Sequence, residues 1–541
     1  MEVNVLQPIQ PFRPRVPTSN ARAQVTLDVP SPIGGLNFRD PISEMAPTDA
    51  TVLNDFIVRP FGLELRSGWS EHCVEVGSAV STIETLLTYQ APDSANDKIF
   101  ACVGDKIYDV TTFNSPTLAL TEAAANNGRW ESTMFVNTAG AFLIAVNNSD
   151  GGYYTYDTVG GWVQRTPAGF PSDSITSVIA WKNRLWFTFE NDSRGFYLAI
   201  GAIDGTATAF DFGPQLKHGG TLAGISNWTH DAGEGIDDYQ VVFGTQGDVI
   251  VYQGYDPSAV TTYQLKGIWW IGSVPTGHRW WSQVNGDVWA LSQNGVVPIS
   301  QLVNGRFSDS DYLNPLTSKI QTELGPFVVD TMDDVAWEMI RVPHIDAIML
   351  KAPPQPNDTY KNYILNQASG AWSVFTKMPI YTGVQFQGVF YFGTNDGRVC
   401  TGLRSTDETD GKTIAGVAGE TLEGEVQGGF EAFGSGSTLK RFLMCRPVFI
   451  ADAAPSVRVQ MNTEYSYSTT AGSPAFAEPG TGVWDTGTWD TAVWSGSANT
   501  YSSWVGLQGI SYRGSLRLVV RGVPGTNYAS SQILVQPGGL L

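Results

Sequence analysis

The chain contains one cluster of polar residues that could exchange protons or hold a cation: His230, Asp231, Glu234, Asp237 and Asp238. Imidazole and carboxylate groups are the usual general acids and bases near neutral pH. A solvated acidic loop between two strands explains the same residues and is the interpretation we favour. None of the five histidines belongs to an i, i+4 metal pair or a Gly-x-Ser-x-Gly elbow. We therefore predict a protein that is not an enzyme, with no catalytic residue, no metal site and no cofactor.

A second candidate is a run of tryptophans at a spacing of five, Trp484, Trp489 and Trp494, with Asp485 and Asp490 beside them. Indole rings and carboxylates together can hold a sugar ring, so a carbohydrate-binding adhesin stays open as an alternative function. Packing of each indole on its own domain is the commoner role, because tryptophan is amphipathic and often half-buried. A propeller glycosidase is the less favoured alternative, since it needs two or three carboxylates about 5–10 Å apart in an axial pocket.

A repeated sequence element lies on both sides of the cluster at 230–238 and is expected to position it. Between residues 98 and 403 one cassette occurs seven times: a run of aromatic and β-branched residues, a turn of Gly, Asn or Asp, and a second such run. The runs suit the half-buried face of a strand, and the turn residues tolerate positive φ angles. The first five copies start at roughly the 40–50-residue intervals typical of propeller blades, and a long gap around 302–361 makes the later spacing irregular. They lie at 99–108, 142–156, 185–198, 241–252, 288–299, 363–375 and 389–399.

Beyond residue 403 the cassette is lost, and the remaining strand candidates predict a separate β-sandwich or barrel. In the run 515–521, Leu516, Leu518 and Val520 alternate with other residues, as expected of a strand with one buried face. We therefore predict a mostly β chain, a β-propeller of five to seven blades with an additional β-sandwich or barrel-like domain. The predicted boundaries are an extended proline-rich arm at 1–30, a strap and connection at 31–75, the β-propeller at 76–404 and the carboxy-terminal β domain at 405–541.

Composition limits the possible partners. Charged residues make up 16% of the chain, below the roughly 25% usual in soluble proteins, which favours subunit contacts. The net charge of −20 argues against a basic patch that grips nucleic acid through its phosphates. No signal peptide and no membrane span are expected. The four cysteines lack metal-like spacing, which favours reduced thiols in a protein made in the cytoplasm.

One segment near the start of the chain carries a recognisable pattern. Its residues are Gly34, Gly35, Leu36, Asn37, Arg39, Asp40 and Pro41, followed by an Arg-x-Gly-Trp element with Gly68 and Trp69. The paired glycines allow a sharp bend, and Thr48 or Asp49 is expected to cap a short helical turn before Pro60. The segment resembles the amino-terminal part of tail nozzle proteins, also called packaged-DNA stabilisation proteins, of short-tailed phages.

The resemblance implies a structural virion protein. Such a protein forms the distal nozzle of a short phage tail, retains packaged DNA and provides its exit channel, usually as a homo-hexameric ring. The implied partners are further copies, the tail adaptor and tail fibre or spike proteins, with DNA passing without specific binding. The implied location is the virion, after synthesis in the host cytoplasm. Acidic side chains lining the channel would repel DNA phosphates, and the candidates are Asp231, Glu234, Asp237 and Asp238.

Overall fold

A computed structural model describes residues 24–125, 127–148, 152–172, 174–231, 236–259, 261–304, 316–356, 359–467, 470–476 and 499–538. Within these ranges the chain is mostly β and contains two short α-helices. The predicted fold class is confirmed, because a β-propeller is joined to a second pair of packed sheets. No helix in these ranges is long and apolar enough to cross a membrane.

The strands that precede the propeller are β1 Val25–Pro30, β2 Gly35–Leu36, β3 Asp49–Asn54, β4 Phe56–Arg59, β5 Gly62–Leu65 and β6 Trp69–Cys73. The propeller strands are β7 Thr85–Tyr89, β8 Lys98–Val103, β9 Lys106–Asp109, β10 Thr117–Thr121, β11 Trp130–Asn137, β12 Gly140–Asn147, β13 Tyr153–Asp157, β14 Gly161–Gln164, β15 Ile175–Trp181, β16 Arg184–Phe189, β17 Arg194–Tyr197, β18 Thr208–Asp211, β19 Leu222–Asp231, β20 Ile236–Gly244, β21 Asp248–Gly254, β22 Tyr263–Trp270, β23 Trp281–Val284, β24 Asp287–Ser292, β25 Gly295–Pro298, β26 Glu338–Val342, β27 Ala347–Lys351, β28 Asn362–Asn366, β29 Trp372–Phe375, β30 Thr382–Phe386, β31 Val389–Gly393 and β32 Val399–Gly402.

The remaining strands are β33 Thr409–Lys412, β34 Glu420–Thr421, β35 Glu423–Gly428, β36 Lys440–Ala451, β37 Ser456–Thr463, β38 Asn499–Ser502, β39 Val505–Gly506, β40 Ile510–Ser511, β41 Gly514–Arg521 and β42 Asn527–Pro537. The helices are α1 Ile299–Val303 and α2 Gln321–Asp330, with short 3-10 helices at Ser94–Asn96, Gly213–Gln215 and Pro343–Ile345.

Seven sheets form the propeller in the described part of the chain. Six of them are four-stranded blades, β7–β10, β11–β14, β15–β18, β19–β22, β26–β29, and β30–β32 with β6. A three-stranded sheet, β23–β25, lies between the fourth and fifth of these. The innermost strands contact one another in the ring order β7, β11, β15, β19, β23, β26, β30 and back to β7. The ring is therefore closed.

A strand from before the first blade completes the last one. β6 pairs antiparallel with β32, so that Trp69 lies opposite Gly402 and Cys73 lies opposite Val399. Hydrogen bonds thus hold the two ends of the propeller together, and separating them would expose two unpaired strand edges.

Aromatic side chains fill the space between neighbouring blades. Tyr252 and Tyr263 of the β19–β22 blade stack with ring centroids 4.5 Å apart. Trp186 of the preceding blade lies 6.4 Å from Tyr263, and all three side chains are buried. Aromatic pairs add about 0.5–1.5 kcal/mol beyond the burial of their area. The aromatic residues of the cassettes therefore stabilise the contacts between blades.

Two sheets pack as a sandwich beside the propeller. One contains β1, β4, β5, β36 and β42 with β38–β40 at its edge, and the other contains β3, β35, β41 and β37. Their facing side chains, including Phe449 and Ile533 from the first sheet, share one buried core. The alternation predicted for β41 is confirmed, because Leu516, Leu518 and Val520 are all buried in that core.

The segment expected to be a strap contributes strands to these sheets. β3 pairs with β35 of the sandwich and with β29 of a propeller blade, so that one nine-stranded sheet runs through both. The helical turn expected after Thr48 or Asp49 is wrong. Asp49 begins β3, since the strand buries Ala50 and Leu53 in the core. The tryptophan run at 484–494 and residues 1–23 lie outside the described residues.

Candidate functional site

The amino-terminal pattern residues lie where the propeller meets the sandwich. We call this region the joint and define it by residues 34–40 with Asp49 and Lys319, and by residues 66–69 with Asp55 and Asp410. Its members come from β2, β3, β6, β33 and the turns next to these strands, except Lys319, which lies just before α2. The joint is one of two candidate sites, and the other is a cavity on the propeller axis.

Asn37 organises the first part of the joint. Its buried side chain donates from the amide nitrogen to Asp40 at 2.8 Å and to Asp49 at 2.7 Å. Its amide oxygen accepts from the backbone N–H groups of Arg39 and Asp40, both at 3.1 Å. Lys319 donates to the other carboxylate oxygen of Asp49 at 2.7 Å. The pattern residues thus satisfy the polar groups of one another, as a buried cluster must.

Three further pattern residues lie around this cluster. Leu36 is buried in β2, which pairs in parallel with β3. Arg39 forms an ion pair with Asp40 at 2.9 Å, and because 52% and 35% of the two side chains are exposed, solvent screens their attraction. Pro41 is exposed, and its carbonyl accepts from the N–H of Glu44 at 2.9 Å.

The paired glycines are required by close backbone approach. Gly35 has a φ of +76°, and a Cβ atom there would lie 2.7 Å from the backbone nitrogen of Trp372. A Cβ atom on Gly34 would lie 2.1 Å from a carboxylate oxygen of Asp49. Neither contact is possible for a larger residue without movement of its neighbour, so the expected bend is confirmed and has a packing reason.

Gly35→Ala is expected to lower the free energy of unfolding by about 2–5 kcal/mol, since it adds the strain of a left-handed conformation to an overpacked contact. The matched control is Gly104→Ala, where φ is +54° but nothing lies within 4 Å of the added atom. The control should cost about 1–2 kcal/mol, for conformation alone. Urea unfolding of both variants measures the difference, and equal losses would show that backbone packing at the joint is unimportant.

Arg66 is the centre of the second part of the joint. Its guanidinium donates to Asp55 at 2.7 Å and to both oxygens of Asp410 at 2.7 and 2.9 Å. All three side chains are at least nine-tenths buried. Burial alone would lower the pKa of Arg66, but the two carboxylates outweigh it and raise that pKa. Arg66 therefore stays charged and links the β3–β4 turn to β33.

Gly68 and Trp69 complete the second part. The N–H of Gly68 donates to the Asp407 carbonyl at 2.7 Å, and a Cβ atom on Gly68 would lie 2.1 Å from the Thr409 carbonyl oxygen. Trp69 packs edge-on against Phe392 of β31, with centroids 5.7 Å apart. These contacts hold strand β6, which completes the last blade, against residues 407–409, which follow the propeller in the chain.

The second candidate site is a cavity of about 650 Å³ at one end of the propeller axis. Volumes of about 300–1,000 Å³ are typical of ligand pockets. All seven sheets contribute to its wall, because the innermost strand of each begins there. One lining residue from each, in ring order, is Glu84, Glu131, Thr176, Leu222, Arg279, Glu338 and Tyr381.

Arg279 spans the axis at the base of this cavity. It precedes β23, yet its Nη2 atom donates to the Thr85 hydroxyl of β7 at 2.8 Å and to the Trp130 carbonyl of β11 at 2.5 Å. In the ring of seven, β11 is three positions from β23, the greatest separation available. The Nε atom of Arg279 donates to Glu131 at 2.8 Å, and Glu338 lies 3.6 Å from the Nη1 atom of Arg279. One guanidinium therefore ties together inner strands from opposite sides of the ring.

Four carboxylates line the cavity, those of Glu84, Glu131, Glu190 and Glu338, and all but Glu190 lie at or near the start of an innermost strand. Burial raises the pKa of Glu131 and of Glu338, against the opposing charge of Arg279. Glu84 accepts from the Nε atom of Arg129 at 3.4 Å and from a backbone N–H. An acid held protonated beside an ionised one is the arrangement used in glycoside hydrolysis, but here the two raised acids share Arg279 as their partner. No group of three or more metal-binding side chains occurs among the described residues.

His278 and Lys351 add basic groups to the wall. The Nδ1–H group of His278 donates to the Ala223 carbonyl at 2.6 Å, and burial lowers the pKa of His278. The ring is therefore neutral near pH 7, with Nε2 as an acceptor. Lys351 is 1% exposed, donates to the Ala336 carbonyl and lies 5.0 Å from the ring centre of Tyr381. Burial lowers the pKa of Lys351 to about 8, although Glu338 opposes the shift.

The pKa of Lys351 predicts a pH-dependent stability. Below pH 8 both folded and unfolded chains hold the proton, and the buried charge costs about 3 kcal/mol. Between pH 8 and the ordinary value of 10.5 the unfolded chain binds more protons than the folded one, so stability rises with pH. Lys351→Met should lack this rise. Urea unfolding of both proteins across the window measures it, since all other groups are common to the two, and parallel curves would contradict the assignment.

Three of the acids proposed for a channel wall, Asp231, Asp237 and Asp238, lie at the other end of the propeller. β19 begins at Leu222 beside the cavity and ends at Asp231, and Asp237 and Asp238 follow at the start of β20. The carboxylate of Asp238 accepts a hydrogen bond from Lys182. Glu234 lies outside the described residues. The hairpin thus brings three of the four residues to one tip, remote from the axial cavity.

Sequence reasoning missed the axial residues and Arg66. Glu84, Glu131 and Glu338 belong to different blades, so no local spacing connects them. The signal that could have revealed them is a glutamate near the start of the innermost strand in three blades. Arg66 lies inside the Arg-x-Gly-Trp element, where its buried position has no signature in the sequence.

Comparison with known proteins identifies no family for this chain. No protein family profile matches the sequence, and no curated protein matches it. Similar solved structures include BBS1N in complex with ARL6DN, with 13% identity, a TM-score of 0.39 and coverage of 63% of this chain and 99% of that chain. Another is a catalytically inactive virginiamycin B lyase from Staphylococcus aureus with quinupristin, with 10% identity, a TM-score of 0.38 and coverage of 61% of this chain and 98% of that chain. A third is the β-propeller domain of Myceliophteria thermophila Cps50 (Swd1), with 11% identity, a TM-score of 0.36 and coverage of 60% of this chain and 97% of that chain. Identities and TM-scores this low carry no argument about function.

Proposed function

We propose that this chain is the structural subunit of a phage tail nozzle, which retains packaged DNA and frames its exit channel. The observation that carries the proposal is the joint. The polar pattern residues Asn37 and Arg66, and the indole of Trp69, bond or pack within the region that fixes propeller and sandwich together. A sequence pattern that stabilises the contact between propeller and sandwich is typical of a structural protein.

The outer surface supports assembly of several copies. Leu118 on the outer strand β10 is 56% exposed, and Leu265 and Trp270 on the outer strand β22 are 43% and 46% exposed. Apolar residues on outer blade edges suit contacts between subunits. The arrangement we propose is a ring of six, bound to the tail adaptor and to fibre or spike proteins, in the virion.

Light scattering and electron micrographs of the purified chain test this assembly. A closed ring is expected, and Leu118→Lys with Leu265→Lys should convert it to monomers, because a charge in an apolar contact is costly. The matched control is Val159→Lys, at a turn residue that is 98% exposed. A strict monomer that is also missing from purified tails would overturn the proposal.

Charge reversal at the β19–β20 tip is expected to slow DNA ejection, since lysines there would attract phosphates that the acids repel. The variant replaces Asp231, Glu234, Asp237 and Asp238 with Lys. The control makes the same change of net charge at four exposed acids elsewhere, Asp330, Glu408, Glu420 and Asp452. Ejection from assembled particles in vitro is the measurement, and equal rates for both variants would contradict a role of this tip in the channel.

A further inference from the structure

Several polar atoms in the wall of the axial cavity make fewer hydrogen bonds within the described chain than they are able to make. Among the described residues, Nη1 of Arg129 and Oδ1 of Asn148 are buried without a hydrogen bond. The ammonium of Lys351 has three N–H groups and donates to one backbone carbonyl. His278 donates through Nδ1, which leaves Nε2 as an acceptor. Buried polar atoms are nearly always hydrogen-bonded, so these four groups are suited to hold a bound molecule.

The charges of the wall indicate which kind of molecule this is. Four carboxylates nearly balance three cations: Glu84, Glu131, Glu190 and Glu338 against Arg129, Arg279 and Lys351. A phosphate or a polyanion would meet the carboxylates at close range, where like charges cost several kcal/mol. An uncharged ligand meets no such penalty. Because the wall mixes donors with acceptors, the ligand must offer groups of both kinds.

Hydroxyl groups meet that requirement, since each can donate and accept. We propose that the axial cavity is a binding site for a neutral mono- or disaccharide. Its hydroxyls accept from Arg129 and Lys351 and donate to Asn148 and His278. Tyr381 supplies aromatic surface for the apolar face of the sugar ring. One chain holds the whole site, so binding is independent of the nozzle assembly proposed above.

Isothermal titration calorimetry on the full chain tests the site. The neutral probes are glucose, galactose, rhamnose, N-acetylglucosamine, lactose and maltose, and the anionic probes are glucuronate and inorganic phosphate. Asn148→Ala should weaken binding of a neutral probe about two- to tenfold, the usual value of one hydrogen bond. Because this oxygen has no partner in the described chain, the substitution should leave the fold unchanged. The control is Asn96→Ala, at an exposed residue beyond the far end of β7.

Two further measurements keep the test decisive. Lys351→Met, checked by its thermal unfolding, should also weaken binding, since it removes a donor without adding volume. Nitrogen NMR of the histidines should show a shift of the His278 Nε2 signal when the sugar is added to the unmodified chain. His72 lies on β6 of the last blade, contacts Phe113 and Tyr391, and serves as the internal reference.

A neutral sugar that binds one to one, loses affinity in Asn148→Ala but not in Asn96→Ala, and shifts the His278 signal would support the proposal. The proposal is overturned if no neutral probe binds, or if affinity is the same in both asparagine variants. It is also overturned if only glucuronate or phosphate binds, because the cavity is then an anion site.

Discussion

Replacing Arg66 by methionine is expected to lower the free energy of unfolding by about 3–5 kcal/mol, because it leaves two buried carboxylates without their cation. Arg66, Asp55 and Asp410 have side-chain exposures of 1%, 2% and 6%. Solvent cannot replace the lost partner at that depth. Urea unfolding followed by tryptophan fluorescence measures the loss.

The matched control for Arg66 is Arg39→Met, within the same sequence pattern. Arg39 also pairs with a carboxylate, that of Asp40, but its side chain is 52% exposed. Removal of Arg39 should change the free energy of unfolding far less than removal of Arg66, because solvent screens an exposed ion pair. Similar losses in the two variants would mean that the buried triad does not hold the joint. Arg66→Met combined with Asp410→Asn should regain part of the stability, since it removes one of the uncompensated charges.

Arg279→Met is expected to cost about 3 kcal/mol or more, because Glu131 and Glu338 lose their shared cation and Thr85 and Trp130 lose a donor. Arg279→Lys keeps the charge but has no planar fork that can reach several strands. Its loss should be intermediate. Thermal unfolding of the full chain gives the order of the three proteins.

A rescue variant tests the cause of that loss. Glu131→Gln and Glu338→Gln added to Arg279→Met should restore part of the stability, because neutral amides cost less to bury than unpaired carboxylates. If the triple variant is no more stable than Arg279→Met, the axial arginine acts by packing rather than by charge. Arg279→Met with unchanged stability would show that the ring is held by its blade contacts alone.

The propeller was predictable because each cassette is local. A hairpin of aromatic and β-branched residues around a glycine turn is encoded within about a dozen residues, and the burial of Leu516, Leu518 and Val520 follows from period two in the same way. The sheet of three strands, β23–β25, interrupts an otherwise four-stranded series. That interruption depends on the chain between the blades, which the cassettes do not describe.

The amino-terminal strands were not predictable from local signals. β3 is held by β35, whose residues lie more than 370 positions further along the chain, as the pairing of Leu53 with Val426 shows. Tertiary pairing of this kind overrides the local capping signal at Thr48 and Asp49. The partners within the joint are also remote in sequence, since Lys319 lies 270 positions from Asp49 and Asp410 lies 344 positions from Arg66.

The arginine across the axis has a consequence for any assembly of this chain. The hub of the propeller is crossed by Arg279, which bonds to strands on opposite sides of the ring. A polymer therefore has no straight path through a single subunit. In the nozzle proposed above, a passage for DNA would have to run between subunits, so its diameter would be set by how many copies surround it and by their outer faces. The number of subunits, and not the number of blades, would then determine the diameter of the channel.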